Sequence, residues 1–111
     1  MTVLTIRAHK RYAVRQPVTL RRLGGGAPCG GLMIELSSEG FRISNLRREP
    51  LTIGEPVVVE FNERAFHGKI RWAHDGIAGV RLDRALFTSE LHDLVARGRG
   101  ETPPEVRRYG T

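Results

Sequence analysis

Residues 31–45 read GLMIELSSEGFRISN, and this stretch indicates the type of fold. Leu32, Ile34 and Leu36 are predicted to share one face of a strand, with Met33 on the opposite face, because side chains alternate along an extended chain. After the polar segment SSEG, apolar and polar residues alternate again. The stretch therefore predicts two short strands joined by a tight turn.

Four more runs have the length and the apolar content of strands, and turn residues separate them. They cover residues 17–20, 57–61, 66–72 and 77–82. Trp72 is predicted to share a face with Phe66 and Ile70, and to pack in the core or at an end of the fold rather than offer a stacking surface. Asp75-Gly76 predicts a hairpin turn. About six short strands predict an all-β fold, either an antiparallel barrel or a sandwich.

Residues 85–97 are the exception and predict a C-terminal α-helix. Thr88 or Ser89 is the predicted cap at its start, and Gly98 is the predicted end. The apolar stripe of this helix consists of Leu91, Leu94 and Val95. The predicted organisation is an N-terminal extension over residues 1–8, one domain over 9–97 and a disordered tail over 98–111.

The composition limits the class of protein. The chain has 111 residues, 40% of them hydrophobic and 27% charged, which fits one soluble domain. No apolar run is long enough to span a membrane or to form a secretory signal, and Cys29 is the single cysteine. We therefore expect a reduced, cytoplasmic protein. No catalytic set or metal-ligand spacing is apparent, so we expect no metal, no cofactor and no enzymatic activity.

The excess positive charge lies at one end of the sequence. Residues 1–22 carry 6 basic side chains and no acidic one, while the formal net charge of the whole chain is +6. Basic and acidic residues therefore cancel over the remainder. A segment polarised in this way predicts an anionic partner, and its arginines favour phosphate.

Two motifs have the chemistry of a nucleotide site. Arg11 and Arg15 form an Arg-x-x-x-Arg pair, and each guanidinium can donate two parallel hydrogen bonds to phosphate or guanine. We expect them to lie in an irregular arm before the first strand. Further along the chain, Glu35-x-Ser37-x-x-Gly40 offers a carboxylate for guanine N–H groups, a hydroxyl for phosphate, and a glycine that permits close backbone approach or a positive φ. The composition alone predicts about two Arg-x-x-x-Arg pairs, so only the combination is informative.

The two motifs together resemble the PilZ domain, the bacterial receptor module for the second messenger cyclic di-GMP. Members carry an Arg-x-x-x-Arg arm followed by Asp/Asn-x-Ser-x-x-Gly. The chain departs from this pattern at Glu35, whose additional methylene moves the carboxylate by about 1.5 Å. The resemblance extends over residues 9–97, through segments that are similar to the middle and last strands of the family: LTIGEPV at 51–57, GKIRW at 68–72 and GVRL at 79–82.

The resemblance implies a six-stranded antiparallel β-barrel with a C-terminal helix that binds cyclic di-GMP. The ligand-binding residues that it implies are Lys10, Arg11, Arg15, Glu35, Ser37 and Gly40. Because no output domain is visible, a separate, unidentified effector protein would receive the signal, and ordering of the arm would be the switch.

Two alternatives remain at this point. A PilZ adaptor could act by protein contact alone, without a ligand. A small basic barrel could also bind RNA or single-stranded DNA, but such proteins present several exposed aromatic side chains for base stacking. Aromatic residues make up 6% of this chain, and most occupy predicted inward positions, so nucleic acid is the weaker alternative.

Overall fold

A computed structural model describes residues 10–46 and 50–100 of the chain. It contains six β-strands and one helix. The strands are β1 (Tyr12–Arg22), β2 (Cys29–Leu36), β3 (Gly40–Ser44), β4 (Pro56–Phe61), β5 (Arg64–His74) and β6 (Ile77–Leu82), and the helix α1 is Thr88–Gly98. The predicted N-terminal extension, residues 1–8, and residues 101–111 of the predicted tail lie outside the described residues.

The six strands close into a barrel in the order β1-β2-β3-β6-β5-β4, and every pairing is antiparallel. The sequence left a barrel and a sandwich open, and the barrel is the fold. Closure pairs β1 with β4, so that the described strands have no unpaired edge to protect. The predicted six-stranded antiparallel barrel with a C-terminal helix is confirmed.

Two hairpin turns join β4 to β5 and β5 to β6. Asp75 and Gly76 have φ values of 51° and 78°, and Asn62 and Glu63 have values of 53° and 61°. Two consecutive residues with positive φ are the signature of the type I′ turn, whose twist matches that of the strands it joins. The Asp75-Gly76 hairpin predicted from the sequence is therefore confirmed.

The first strand is longer than the sequence predicts. β1 begins at Tyr12, so Arg15 lies within the strand and not in an irregular arm. The pairing of β1 with β2 shifts register between Ala13 and Gln16. A β-bulge of this kind lets the strand continue through a local irregularity. The prediction of an irregular arm is therefore wrong for Arg15.

Helix α1 ends at Gly98, as predicted, but its N-cap lies one or two residues before the predicted caps. Phe87 occupies the N-cap position, and the Glu90 carboxylate accepts a hydrogen bond from its backbone N–H at 3.3 Å. Thr88 and Ser89 are already helical, so neither of them is the N-cap. The Glu90 carboxylate supplies one half of a capping box, the hydrogen bond to the backbone N–H of the N-cap residue. Gly98 is the last helical residue, and Gly100, with φ 77°, follows the C-cap.

The helix packs on the first strand and extends the core of the barrel. A Cβ atom on Gly98 would approach the Val14 side chain to within 2.9 Å, so glycine permits this close packing. The predicted stripe is confirmed, since all three of its residues are buried in the core. The core consists mainly of aliphatic side chains and a cluster of three aromatic rings, Phe41, Phe61 and Phe66.

Candidate functional site

A groove of about 250 Å³ crosses the outer wall of the barrel over β2, β3, β6 and β5. Its charged lining contains four arginines and two glutamates, and the partly exposed Trp72 side chain lies among them. These residues are Arg11, Glu35, Glu39, Arg42, Arg71, Trp72 and Arg81. The groove is thus cationic on balance and has the chemistry to bind an anion that also carries a flat ring.

A row of paired residues forms the floor of the groove. Glu35 on β2 pairs with Arg42 on β3, Arg42 pairs with Gly79 on β6, and Gly79 pairs with Trp72 on β5. A Cβ atom on Gly79 would overlap the Trp72 indole, so the glycine leaves the space in which that ring lies. The Arg42 guanidinium carbon is 5.3 Å from the Trp72 ring centroid, within cation–π distance.

A β-bulge turns Trp72 away from the core. The register of β5 against β6 shifts between Ile70 and Trp72, so Arg71 is the additional residue. Ile70 is buried, whereas Trp72 is partly exposed and lines the groove beside Arg71. The prediction that Trp72 shares a face with Ile70 is therefore wrong, and so is core packing, the first of its two predicted locations, because the bulge reverses the alternation of side chains.

A second bulge lies in β2, next to Glu35. The register against β3 shifts between Met33 and Glu35, so Met33 points into the barrel and is fully buried, while Leu32 and Ile34 are only partly buried. The predicted face shared by Leu32, Ile34 and Leu36 is wrong for the same reason. The bulge leaves Glu35 on the outer surface, where its carboxylate opens to the groove.

Two arginines flank the Glu35 carboxylate. Its Oε1 atom is 3.7 Å from Arg11 Nη1 and 3.9 Å from Arg42 Nε. Both distances exceed the length of a hydrogen bond, so the two pairs are loose ion pairs in contact with solvent. A carboxylate in this position can exchange one cationic neighbour for the N–H groups of a ligand at small cost.

The SSEG segment forms the tight β2–β3 turn beside this carboxylate. The Ser37 N–H donates to the Gly40 carbonyl at 2.9 Å, and the Ser37 Oγ accepts from the Glu39 N–H at 3.2 Å. A Cβ atom on Gly40 would overlap the Val80 carbonyl oxygen. Of the two functions that the sequence allowed for Gly40, close approach of neighbouring strands is the one observed. The Ser37 hydroxyl hydrogen is still able to donate to a ligand.

The residues of the predicted arm separate in the structure. Arg11 lines the groove, whereas Lys10 and Arg15 are exposed beyond its lining. Lys10 Nζ lies 5.2 Å from the centroid of the Tyr12 ring. Four of the six predicted site residues, Arg11, Glu35, Ser37 and Gly40, therefore line one groove.

Sequence reasoning missed the arginines of the barrel wall. Arg42, Arg71 and Arg81 line the groove, but the sequence indicated them only as parts of strand segments and not as site residues. Their signal was present as basic residues on strands with apolar neighbours, which predicts outward side chains. Nothing local indicated that three different strands would bring these side chains to one groove, because that depends on strand order.

A scan against protein-family models matches the PilZ domain over residues 5–96. The chain belongs to the PilZ domain family. PilZ domains are binding domains rather than typical enzymes, and they are generally receptors for cyclic di-GMP. A search of curated proteins finds no significant match.

Among solved structures, this PilZ domain is similar to the crystal structure of the PilZ domain of CeSA from a cellulose-synthesizing bacterium. The TM-score is 0.61 at 15% sequence identity, and the alignment covers 80% of this chain and 94% of that one. At this identity, the likeness supports the barrel fold independently of the family match and carries no information on the ligand.

The described parts of the chain contain neither a candidate metal cluster nor a helix that could span a membrane. No three His, Cys, Asp or Glu side chains of residues 10–46 and 50–100 cluster in a way that could hold a metal ion. Within those same ranges, no helix has the length and the hydropathy needed to cross a bilayer.

Proposed function

We propose that this PilZ domain is a cyclic di-GMP receptor of bacterial second-messenger signalling, and that it transmits ligand binding to a separate effector protein. The observation that carries the proposal is the shared groove: Arg11, Glu35, Ser37 and Gly40 all line it. Two motifs that are separate in sequence thus contribute to one surface, and each offers groups that bind guanine or phosphate.

The end of the groove at Glu35 binds a base of the ligand. The carboxylate accepts the adjacent N1–H and N2–H groups of one guanine, and Arg11, at 3.7 Å from it, turns toward a phosphate or a purine face. The Ser37 hydroxyl donates to a phosphate oxygen. Gly40, which pairs with Arg81 on β6, has no side chain, so the ligand can approach the backbone closely at this point.

The arm residues outside the groove bind the remainder of the ligand. A volume of about 250 Å³ is below the range of about 300–1,000 Å³ that is usual for sites enclosing a small molecule. A cyclic dinucleotide would therefore extend beyond the groove. Lys10 and Arg15 are close in sequence to Arg11, which lines the groove, and both are exposed. They supply cations for the outer part of the ligand.

Isothermal titration with cyclic di-GMP tests the proposal, with GMP and ATP as matched mononucleotides and a single-stranded oligonucleotide as the nucleic-acid comparison. We expect cyclic di-GMP to bind at near-physiological salt and the other ligands to bind more weakly. The absence of binding at ~100 μM, equivalent to affinity weaker than about −5.5 kcal/mol, would contradict the proposal and favour the adaptor that acts without a ligand.

Three substitutions of arginine locate the interaction. Arg11→Ala and Arg15→Ala should each weaken binding by about 1.5–3 kcal/mol, the value of a charge-assisted contact. Arg21→Ala is the matched control: Arg21 is an exposed arginine on β1, the strand that contains Arg15, but its Nη2 pairs with Glu60 Oε1 at 3.1 Å. An equal effect of all three variants would indicate non-specific attraction by positive charge.

A further inference from the structure

Arg71 and Arg81 form a second cationic wall of the groove, on β5 and β6. Both side chains are exposed, and both line the groove. Neither makes a hydrogen bond or an ion pair with a residue in the described ranges 10–46 and 50–100. Two guanidinium groups without a partner among the described residues therefore face the same groove as Glu35.

Other basic side chains of the described surface do have a carboxylate partner. Arg21 pairs with Glu60, Arg97 with Asp93, and Arg64 with Glu90. The comparison with Lys69 is closest, because Lys69 is opposite Arg81 in the β5–β6 register, yet its Nζ is 2.9 Å from Asp83 Oδ1. Lys69 and Arg81 are thus neighbouring cations, but only Lys69 already pairs with a carboxylate of the described residues.

The backbone directs these two arginines toward the groove. Arg71 is the additional residue of the β5 bulge, and bulges re-aim side chains. Arg81 is paired with Gly40, which has no side chain to cover it. The third arginine of the wall, Arg42, already contacts Glu35 and the Trp72 ring. The groove thus has a carboxylate on β2 and, on β5 and β6, two cations without a partner among the described residues.

We propose that Arg71 and Arg81 bind the phosphate groups of the ligand of this groove, opposite the base-binding carboxylate of Glu35. The inference rests on the proposed function for the identity of the ligand. The phosphate chemistry does not depend on it, since a guanidinium pair matches the oxygens of any phosphate ester or diphosphate. In this chain, the barrel wall therefore contributes to phosphate binding in addition to the N-terminal arm.

The test compares Arg71→Gln, Arg81→Gln and the double variant with Lys69→Gln, the matched control that removes an adjacent but paired charge. Titration with cyclic di-GMP should give about tenfold weaker binding for each single arginine variant, since each variant loses a charge-assisted hydrogen bond to phosphate. The double variant should lose about 100-fold, and Lys69→Gln less than about twofold, as expected for an exposed pair. Melting curves confirm that each variant is folded.

A second probe separates this inference from the proposed function. Inorganic pyrophosphate is titrated into ¹⁵N-labelled protein, and the amide resonances of residues 71 and 81 are followed. If cyclic di-GMP does not bind but pyrophosphate shifts these resonances, and the shifts are lost in the double variant, the phosphate wall stands and the proposed function fails. Cyclic di-GMP binding that the arginine variants leave unchanged, or no response to either probe, would overturn the inference.

Discussion

Glu55 and Glu35 both lie beside arginines, but their geometries differ. Glu55 accepts two hydrogen bonds from Arg22, at 2.9 Å from Nε and 3.0 Å from Nη2, and a third from the Thr52 backbone N–H. Glu35 faces Arg11 and Arg42 at 3.7 and 3.9 Å. The exposed fraction of the side chain is 15% for Glu55 and 30% for Glu35. The first arrangement satisfies the carboxylate, and the second leaves it able to bind.

The surroundings of the two glutamates match this difference. The backbone of Glu55 is tied to the barrel, since its N–H donates to Thr52 and its carbonyl accepts from Ile70. Glu35 follows a bulge in β2, where the ladder is interrupted. Ion pairs between similar residues thus serve the fold at one point and a candidate site at the other, and the distinction lies in geometry and burial rather than in residue type.

The largest expected effect is the loss of the satisfied pair. Arg22→Ala leaves the Glu55 carboxylate largely buried without its bidentate partner, and we expect the free energy of unfolding to fall by about 1.5–3 kcal/mol. Urea denaturation measures this free energy of unfolding. Arg21→Ala is the control, because the neighbouring Arg21–Glu60 pair is exposed and should contribute less than about 1 kcal/mol. Equal losses in the two variants would contradict the distinction between the two kinds of pair.

Prediction from sequence succeeded for elements with local signals. The predicted strand at 77–82 coincides with β6, and Asp75-Gly76 gives the expected turn, because φ preference is a property of those residues themselves. It failed for the direction of Met33 and Trp72. Each direction depends on a bulge, and a bulge is a property of two paired strands that neither sequence run specifies alone.

The candidate site divides in the same way. The motifs predicted the side of the groove that contains Glu35, Ser37 and Gly40, because their spacing is recognisable in the chain. The side with Arg71 and Arg81 was not predictable, since it requires β6 to lie between β3 and β5. Strand order in a barrel follows from long-range pairing, for which a single sequence offers no direct signal.

The next effect concerns binding rather than stability. Glu35→Ala should change the free energy of unfolding by less than about 1 kcal/mol, since its ion pairs are loose and exposed. The same variant should weaken cyclic di-GMP binding about tenfold by removing the acceptor of the guanine N–H groups. Titration and a melting curve on the same sample measure both quantities.

Glu35→Asp is the matched variant. It retains the carboxylate and restores the shorter side chain of the family motif, so its dissociation constant should be unchanged or lower. Ordering a glutamate side chain costs up to about 1.5–2 kcal/mol, and the shorter acid has less freedom to lose. If Glu35→Ala binds as tightly as the parent protein, Glu35 does not contact the base.

The smallest expected effect is a loss of stability at acidic pH that is specific to the Arg22–Glu55 pair. Burial by itself raises the pKa of Glu55, but the hydrogen bonds from Arg22 and the Thr52 N–H, with the charge of Arg22, outweigh it, so the pKa lies below the ordinary value of 4.5. The unfolded chain then binds the proton more readily than the folded protein. Stability from this pair is complete above about pH 4.5 and is lost as the pH falls through the folded-state pKa.

Glu55→Gln removes this dependence, because an amide does not titrate in this range. The parent protein should therefore be more stable than Glu55→Gln at pH 6, and the difference in the free energy of unfolding should narrow by pH 3. Glu90 has a lowered pKa of the same kind: burial raises it, and the hydrogen bonds from Arg64 and the Phe87 N–H more than compensate. The difference in stability between the parent protein and Glu90→Gln should therefore also narrow between pH 6 and pH 3. A difference that stays constant between pH 6 and pH 3 in urea denaturation would contradict the assignment of this stability to the ionised carboxylates.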